Sequence, residues 1–232
     1  MTRARRTGWC GGALALMLAA GAAQAQTSFT AGVVSDYRYR GMSLSEETPA
    51  AQLALNYDDP SGAFAGVSLS QASLPFTEAS ALAVSYAGFA RPIGKTLSWE
   101  AGVSQSAFRN AAHYNYHEVF AGLSVERLSA RLYLSQRYLG VGGRSAYAEV
   151  NGSHPLTDVL DLVGHLGYLR AGAQGWQAAP PARADVRVGV SAALAEWTVQ
   201  LAWSATRQGA ALYPAAYGSG ARKLVLSIAR SF

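Results

Sequence analysis

From Gln26 onwards, apolar and polar positions alternate with a period of two, segment after segment. Phe29, Ala31 and Val33 alternate with Thr30 and Gly32 and lead into Asp36-Tyr37-Arg38-Tyr39-Arg40. Ala51, Leu53, Leu55 and Tyr57 form the next series, and Ala63, Ala65, Val67 and Leu69 the third. Leu82, Val84 and Tyr86 follow, then Leu97, Trp99, Ala101 and Val103, then Val119, Ala121, Leu123 and Val125. The second half repeats the pattern at Leu132 and Leu134, Ala146 to Val150, Leu162 to Tyr168, Val186 to Ala192, and Trp197 to Trp203. The last series is Leu224, Leu226, Ile228 and Arg230, ending on Phe232. Period-two alternation marks strands with one apolar and one polar face. This last strand is about ten residues, the length of a tilted strand crossing a bilayer.

The connections alternate in length. Long ones fall near 41–50, 71–79, 109–115, 139–144, 171–183 and 208–220. Short ones fall near 58–62, 91–96, 126–129, 155–160 and 195–196. Asp58-Asp59-Pro60-Ser61-Gly62 has the composition of a tight turn. The pattern predicts an all-β fold: a single transmembrane antiparallel β-barrel of about twelve strands, with long extracellular loops and short periplasmic turns. An even strand number puts both termini on the periplasmic side.

Export fits this architecture. Arg3, Arg5 and Arg6 form a basic start, Gly11 to Ala22 an apolar stretch, and Ala23-Gln24-Ala25 a small-residue cleavage site. The expected organisation is a signal peptide over 1–25 and an outer-membrane barrel over 26–232. The apolar stretch is too short for a helical anchor, which takes about 20 residues. Cys10 leaves with the signal, so no disulfide framework or thiolate metal site is available. Three of the 19 Lys+Arg also leave, so 16 face 14 Asp+Glu, and no basic run remains to bind nucleic acid.

The apolar series faces outward and is almost wholly Leu, Val, Ala, Ile, Tyr and Trp. Trp99, Trp197, Tyr57, Tyr168 and Phe232 fall near strand ends, where aromatic girdles sit. The inward series carries the charge: Asp36, Arg38, Arg40, Glu100, Glu118, Arg131, Arg137, Glu149, Asp185 and Arg187. These are the candidates for a lumen lining or constriction. Asp36, Arg38 and Arg40, at spacing two, are expected on one face of the first strand. Twelve strands at ~4.8 Å spacing and ~40° tilt close to a backbone radius of roughly 12 Å, so any water path is narrow.

The sequence resembles the TorF-type porin family of proteobacterial outer membranes. The resemblance rests on Ser35-Asp36-Tyr37-Arg38-Tyr39-Arg40-Gly41-Met42-Ser43 with Pro49-Ala50. It also rests on Ser61-Gly62-Ala63-Phe64-Ala65-Gly66-Val67, Tyr116-His117-Glu118-Val119-Phe120-Ala121-Gly122-Leu123-Ser124, and the terminal Leu224 to Phe232. It spans nearly the whole mature chain. It implies an outer-membrane barrel and brings no substrate or catalytic residue.

No nucleophile signature, zinc spacing or phosphate loop is present. His117 and Glu118 are adjacent on a strand and point to opposite faces, which argues against an acid–base pair. His113 and His117 lie at a loop–strand junction, His154 at a turn before Pro155, and His165 on an inward series. No catalytic residue, metal site or cofactor is expected. The expected partners are outer-membrane lipid, small hydrophilic solutes, and the barrel assembly machinery through the C-terminal strand, with Phe232 as its signal. The first functional expectation is a porin for passive diffusion through a narrow mixed-charge lumen. The alternatives are a plugged structural or adhesive barrel, whose loops such as Gln174-Gly175-Trp176-Gln177 and Leu212-Tyr213-Pro214 make contacts, and an outer-membrane enzyme.

Overall fold

The structure is a computed structural model that describes residues 26–73, 77–140, 143–172, 182–208 and 222–232. The signal peptide expected over 1–25 lies outside these residues, as do the loop segments around Gln174 and Leu212. Barrel strands are β1 (Gln26–Val34), β4 (Ala50–Asp58), β5 (Ala63–Gln71), β6 (Ala81–Ile93), β7 (Leu97–Arg109) and β8 (Tyr116–Val125). They continue with β9 (Leu128–Ser135), β10 (Ser145–Pro155), β11 (Leu160–Ala171), β12 (Ala182–Leu194), β13 (Trp197–Gln208) and β14 (Arg222–Ser231). Between β1 and β4 sits a small hairpin, β2 (Arg38–Tyr39) and β3 (Met42–Ser43).

The twelve long strands form one closed antiparallel barrel in sequential order. Closure is made by β1, which pairs with β4 on one side and β14 on the other; Val33 faces Ala51 and Ile228 at once. A closed ring has no free edge, so every strand can satisfy its backbone within the sheet. At the seam the Phe232 amide donates to the Phe29 carbonyl at 2.9 Å, and the two rings pack 5.6 Å apart.

The solvation pattern is inverted relative to a water-soluble fold. Large apolar side chains cover the outside, with Leu224 63% exposed and Leu166 61%. Such a continuous apolar band is stable only against lipid. Phe29, Tyr57, Trp99, Trp197 and Phe232 ring the short-turn end. The Arg230 guanidinium lies over Phe232 and Trp197, at 4.7 and 5.7 Å from the ring centres. Among the described residues no helix is long and apolar enough to cross a membrane; the strands do the crossing.

One strand reverses the face expected from its sequence. Leu82, Val84 and Tyr86 on β6 point inward, and Ala83, Ser85, Ala87 and Phe89 outward. Directly paired residues share a face, so outward Leu69 and Val67 carry Ala83 and Ser85 with them. The exchange puts the Tyr86 hydroxyl on the Asn56 amide inside the barrel.

At the short-turn end, Ser61 donates its backbone N–H to Asp59 Oδ1 at 2.8 Å and Tyr57 donates its hydroxyl to Oδ2 at 3.1 Å. Hydrogen bonds from Ser61, then from Tyr57, hold the Asp59 carboxyl below its ordinary range. Their stabilisation is present at neutral pH and is lost as pH falls through that lowered value.

Candidate functional site: a hairpin across the lumen

Val34 and Ala50 are direct partners across β1 and β4. Two residues could join strands so placed, yet 35–49 inserts fifteen. Asp36, Tyr37, Arg38, Tyr39 and Arg40 are all buried. The segment folds into the barrel instead of rising away from it.

This corrects the expectation that Asp36, Arg38 and Arg40 continue the first strand. That strand ends at Val34, and Ser35 is tied to β14 by its backbone N–H to the Leu226 carbonyl at 2.8 Å. Arg40 and Gly41 then make a two-residue turn with φ of 49° and 75°, the doubly left-handed form that suits tight hairpins. Gly41 is required twice over. Its φ disfavours other residues, and a Cβ would come within 2.7 Å of Asp185 Cβ and 2.8 Å of Thr206 Oγ1.

Short polar contacts hold the base of the hairpin. Arg38 Nε donates to Asp36 Oδ2 at 2.6 Å, and the Ser43 hydroxyl donates to Asp36 Oδ1 at 2.6 Å. Tyr37 donates its amide to Ser45 Oγ at 2.9 Å, and Glu47 pairs with Lys223 at the rim. Near the tip, Thr206 Oγ1 donates to the Gly41 carbonyl at 2.8 Å.

The tip side chain of Arg40 completes the crossing. It donates Nη1 and Nη2 to Glu118 Oε1 and Oε2 at 2.8 and 2.6 Å, a bidentate pair whose side chains are 3% and 2% exposed. Its guanidinium carbon lies 4.5 Å from the Tyr147 ring centre, 4.9 Å from Tyr133, 5.0 Å from Tyr39 and 5.7 Å from Tyr138. The tyrosines of β9 and β10 in this group are six and five places from β1 around the twelve-strand ring. The hairpin thus reaches the opposite wall.

The other charged candidates scatter around this centre. Arg131 Nε meets Glu100 Oε1 at 2.7 Å and its Nη1 donates to the Tyr133 hydroxyl at 2.8 Å. The pair bridges β7 and β9 above Gly122, where a Cβ would come within 2.6 Å of Glu100 Oε1. Glu149 faces Arg131 in register, and the close ion pair of Arg131 is with Glu100, at 2.6 Å. Glu149 Oε1 accepts weakly from Tyr133 at 3.4 Å, and its Oε2 is buried without a hydrogen-bond partner. Asp185 Oδ1 meets His165 Nε2 at 2.8 Å, and His165 Nδ1 meets Asn151 Oδ1 at 2.7 Å. Arg187 lines a cavity beside the hairpin. Arg137 is not on an inward face: β9 ends at Ser135, and exposed Arg137 donates Nη2 to the Gly140 carbonyl at 2.6 Å.

That cavity is about 150 Å³ and is lined by hairpin residues and by small polar side chains including Thr30, Gln52, Ser68, Ser70, Gln200 and Ser227. The lumen is therefore lopsided. The β8–β10 side is packed with Phe120, Tyr133 and Tyr147 in a row, at ring separations of 5.7 and 6.2 Å, while the β13–β5 side carries mostly smaller side chains, polar ones among them. Among the described residues no group of three His, Cys, Asp or Glu side chains could hold a metal ion.

Sequence reasoning left the tyrosines out of its lumen candidates, and it set His165 on an inward series without giving it a partner. Tyr133 shares its inward series with Arg131, and Tyr147 with Glu149, so alternation alone put four lumen aromatics and charges side by side. No local pattern linked them to Arg40.

A closed twelve-stranded barrel with an apolar outside and a charged, hairpin-crossed inside is of the porin-like class. The chain belongs to the family described as "Bacterial protein of unknown function (Gcw_chp)", which matches residues 19–232. Among solved structures it is similar to the KdgM porin, with a TM-score of 0.57 at 11% identity, over 88% of this chain and 99% of that one. A KdgM porin in complex with disordered oligogalacturonate gives a TM-score of 0.54 at 10% identity, over 90% and 99% of the two chains. At these identities the likeness is one of fold. No curated protein sequence matches. The resemblance to TorF-type porins is thus met at the level of a porin-like outer-membrane barrel, and the finer family label is not.

Proposed function

We propose that the protein is an outer-membrane porin that passes small hydrophilic solutes, with the hairpin Arg38–Ser43 as its constriction. The observation that carries this is the position of that hairpin: it narrows the lumen from one wall to the other yet leaves a cavity of about 150 Å³ at its side, lined in part by Ser, Thr and Gln. In this reading the apolar band meets outer-membrane lipid, the short turns and both termini lie in the periplasm, and the C-terminal strand is the handle for barrel assembly. The protein acts by diffusion and not by catalysis. An acidic oligosaccharide like that in the KdgM complex would find Arg38, Arg40 and Arg131 already paired with carboxylates. Small neutral or cationic solutes meet no such conflict.

The test is conductance of refolded protein in planar bilayers. Small, stable single-channel steps are expected from wild type. Neutralising Arg38 and Arg40 together is expected to shift ion preference towards cations. Correctly folded barrels without conductance across a wide salt range would overturn the porin reading. They would favour a closed structural barrel, the second reading, which the complete burial of the Arg40–Glu118 pair supports.

A further inference from the structure

We infer that the lumen contains a binding site for organic cations carrying a guanidinium or ammonium group, and that Arg40 is its built-in occupant. A group of tyrosine rings at 4.5 to 5.7 Å around one cationic carbon, closed by a carboxylate, is the chemistry that recognises such cations. Most of the site belongs to the barrel wall and its loops: Glu118, Tyr133 and Tyr147 lie on barrel strands and Tyr138 in the turn after β9, none of them on the hairpin. Tyr39 comes with the hairpin, its hydroxyl 3.1 Å from that of Tyr116.

A second observation marks the site as built for more than Arg40 uses. Glu149 Oε2 is buried and without a hydrogen-bond partner. Buried carboxylate oxygens are rarely left so. It supplies an extra acceptor beside an arginine already neutralised by Glu118. A free cation with a donor aimed at that oxygen would satisfy it. An anion would face the Glu118 carboxylate, and a neutral sugar would forfeit that charge.

Arg40 sits at the turn of a hairpin whose two ends are anchored to the wall, so it competes as a tethered ligand. Tethering on a short linker gives an effective concentration in the millimolar range. A soluble cation must therefore outcompete it in wild type, and removing it should unmask the site. As a transport proposal this rests on the porin reading, with cations as the solutes that displace the arginine. The site itself does not depend on transport.

The probe is arginine amide, with sodium glutamate as control, titrated calorimetrically into detergent-refolded full-length barrel. Arg40→Ala is expected to bind arginine amide about tenfold or more tightly than wild type, and Glu118→Gln added to it should abolish the gain. Arginine amide should also raise the unfolding temperature of Arg40→Ala while leaving wild type unmoved. Should Arg40→Ala not fold, Arg40→Lys fills the cage with a cation but loses the bidentate fork, and an affinity between those two is expected. A folded Arg40→Ala or Arg40→Lys barrel that binds arginine amide no better than wild type, or binds glutamate equally well, overturns the proposal. Bilayer conductance is measured in parallel. A silent wild-type barrel whose Arg40→Ala form binds the cation removes the porin reading alone, and a conducting barrel with no cation binding removes this site alone.

Discussion

Arg40 and Glu118 show how much one residue pair decides here. Each charge has left water, and only the other makes that tolerable. Replacing Glu118 by Ala strands the guanidinium in a low-dielectric cage. The expected loss is about 3–5 kcal/mol, read as a lower denaturant midpoint of the refolded barrel. Glu118→Gln should cost less, because the amide oxygen still accepts one of the two hydrogen bonds. On the outer face the same logic runs in reverse. Leu226 lies mid-strand on β14 with its side chain exposed to the outside. An Arg there is expected to destabilise by roughly 2–4 kcal/mol, the cost of a charge at the bilayer midplane. A Leu226→Arg barrel of unaltered stability would mean that this face does not meet lipid.

The element that gives the lumen its character is the inserted segment 35–49. Since Val34 and Ala50 are already partners, the barrel does not depend on it for closure. Replacing residues 36–47 by a short Gly–Ser turn should leave a folded barrel, seen as a heat-modifiable band shift, with single-channel conductance several-fold above wild type. Conductance no greater than wild type would place the narrowest point elsewhere, at the Glu100–Arg131 bridge. The connecting elements also offer a topology test. Ser43 and Ala111 fall in long connections but are buried, so single cysteines are better placed at exposed Glu46 and Ala112. These should react with an impermeant thiol reagent on intact cells. Cysteines at Ser61, Lys95 and Glu196, in the short turns, should not. Equal labelling of the two sets would contradict an orientation with the long loops outside the cell.

For the whole molecule, the two halves of the lumen do different work. The β8–β10 wall is filled with aromatic rings and paired charges that seat the hairpin. The wall from β13 through β1 to β5 mixes Thr, Ser and Gln with Gly, Ala and Val and leaves space. Barrels of twelve strands are wide enough to need such filling, and the internal hairpin supplies it at one level while leaving a cavity beside it. Of the lumen carboxylates, Asp36, Glu100 and Glu118 each meet an arginine.

Strand number, barrel closure by the terminal strand, the long–short rhythm of the connections and the identity of the outward face were all legible in the chain. Each follows from period-two alternation and turn composition, which are local properties. The face of β6 was not legible. Both of its series are apolar enough to face lipid, and only pairing of Ala83 with Leu69 and Ser85 with Val67 fixed the phase. The hairpin was hidden for a related reason. Asp36-Tyr37-Arg38-Tyr39-Arg40 alternates as a strand does, and it forms one at β2, but with β3 inside the barrel and not in its wall. Arg137 looked inward by extrapolating a period past the point where β9 stops. That Arg40 lies on β9 and β10 tyrosines and on Glu118, seventy-eight residues along the chain, is a property of a ring that brings distant strands face to face. Sequence spacing carries no record of that distance, so the site existed only once the barrel had closed.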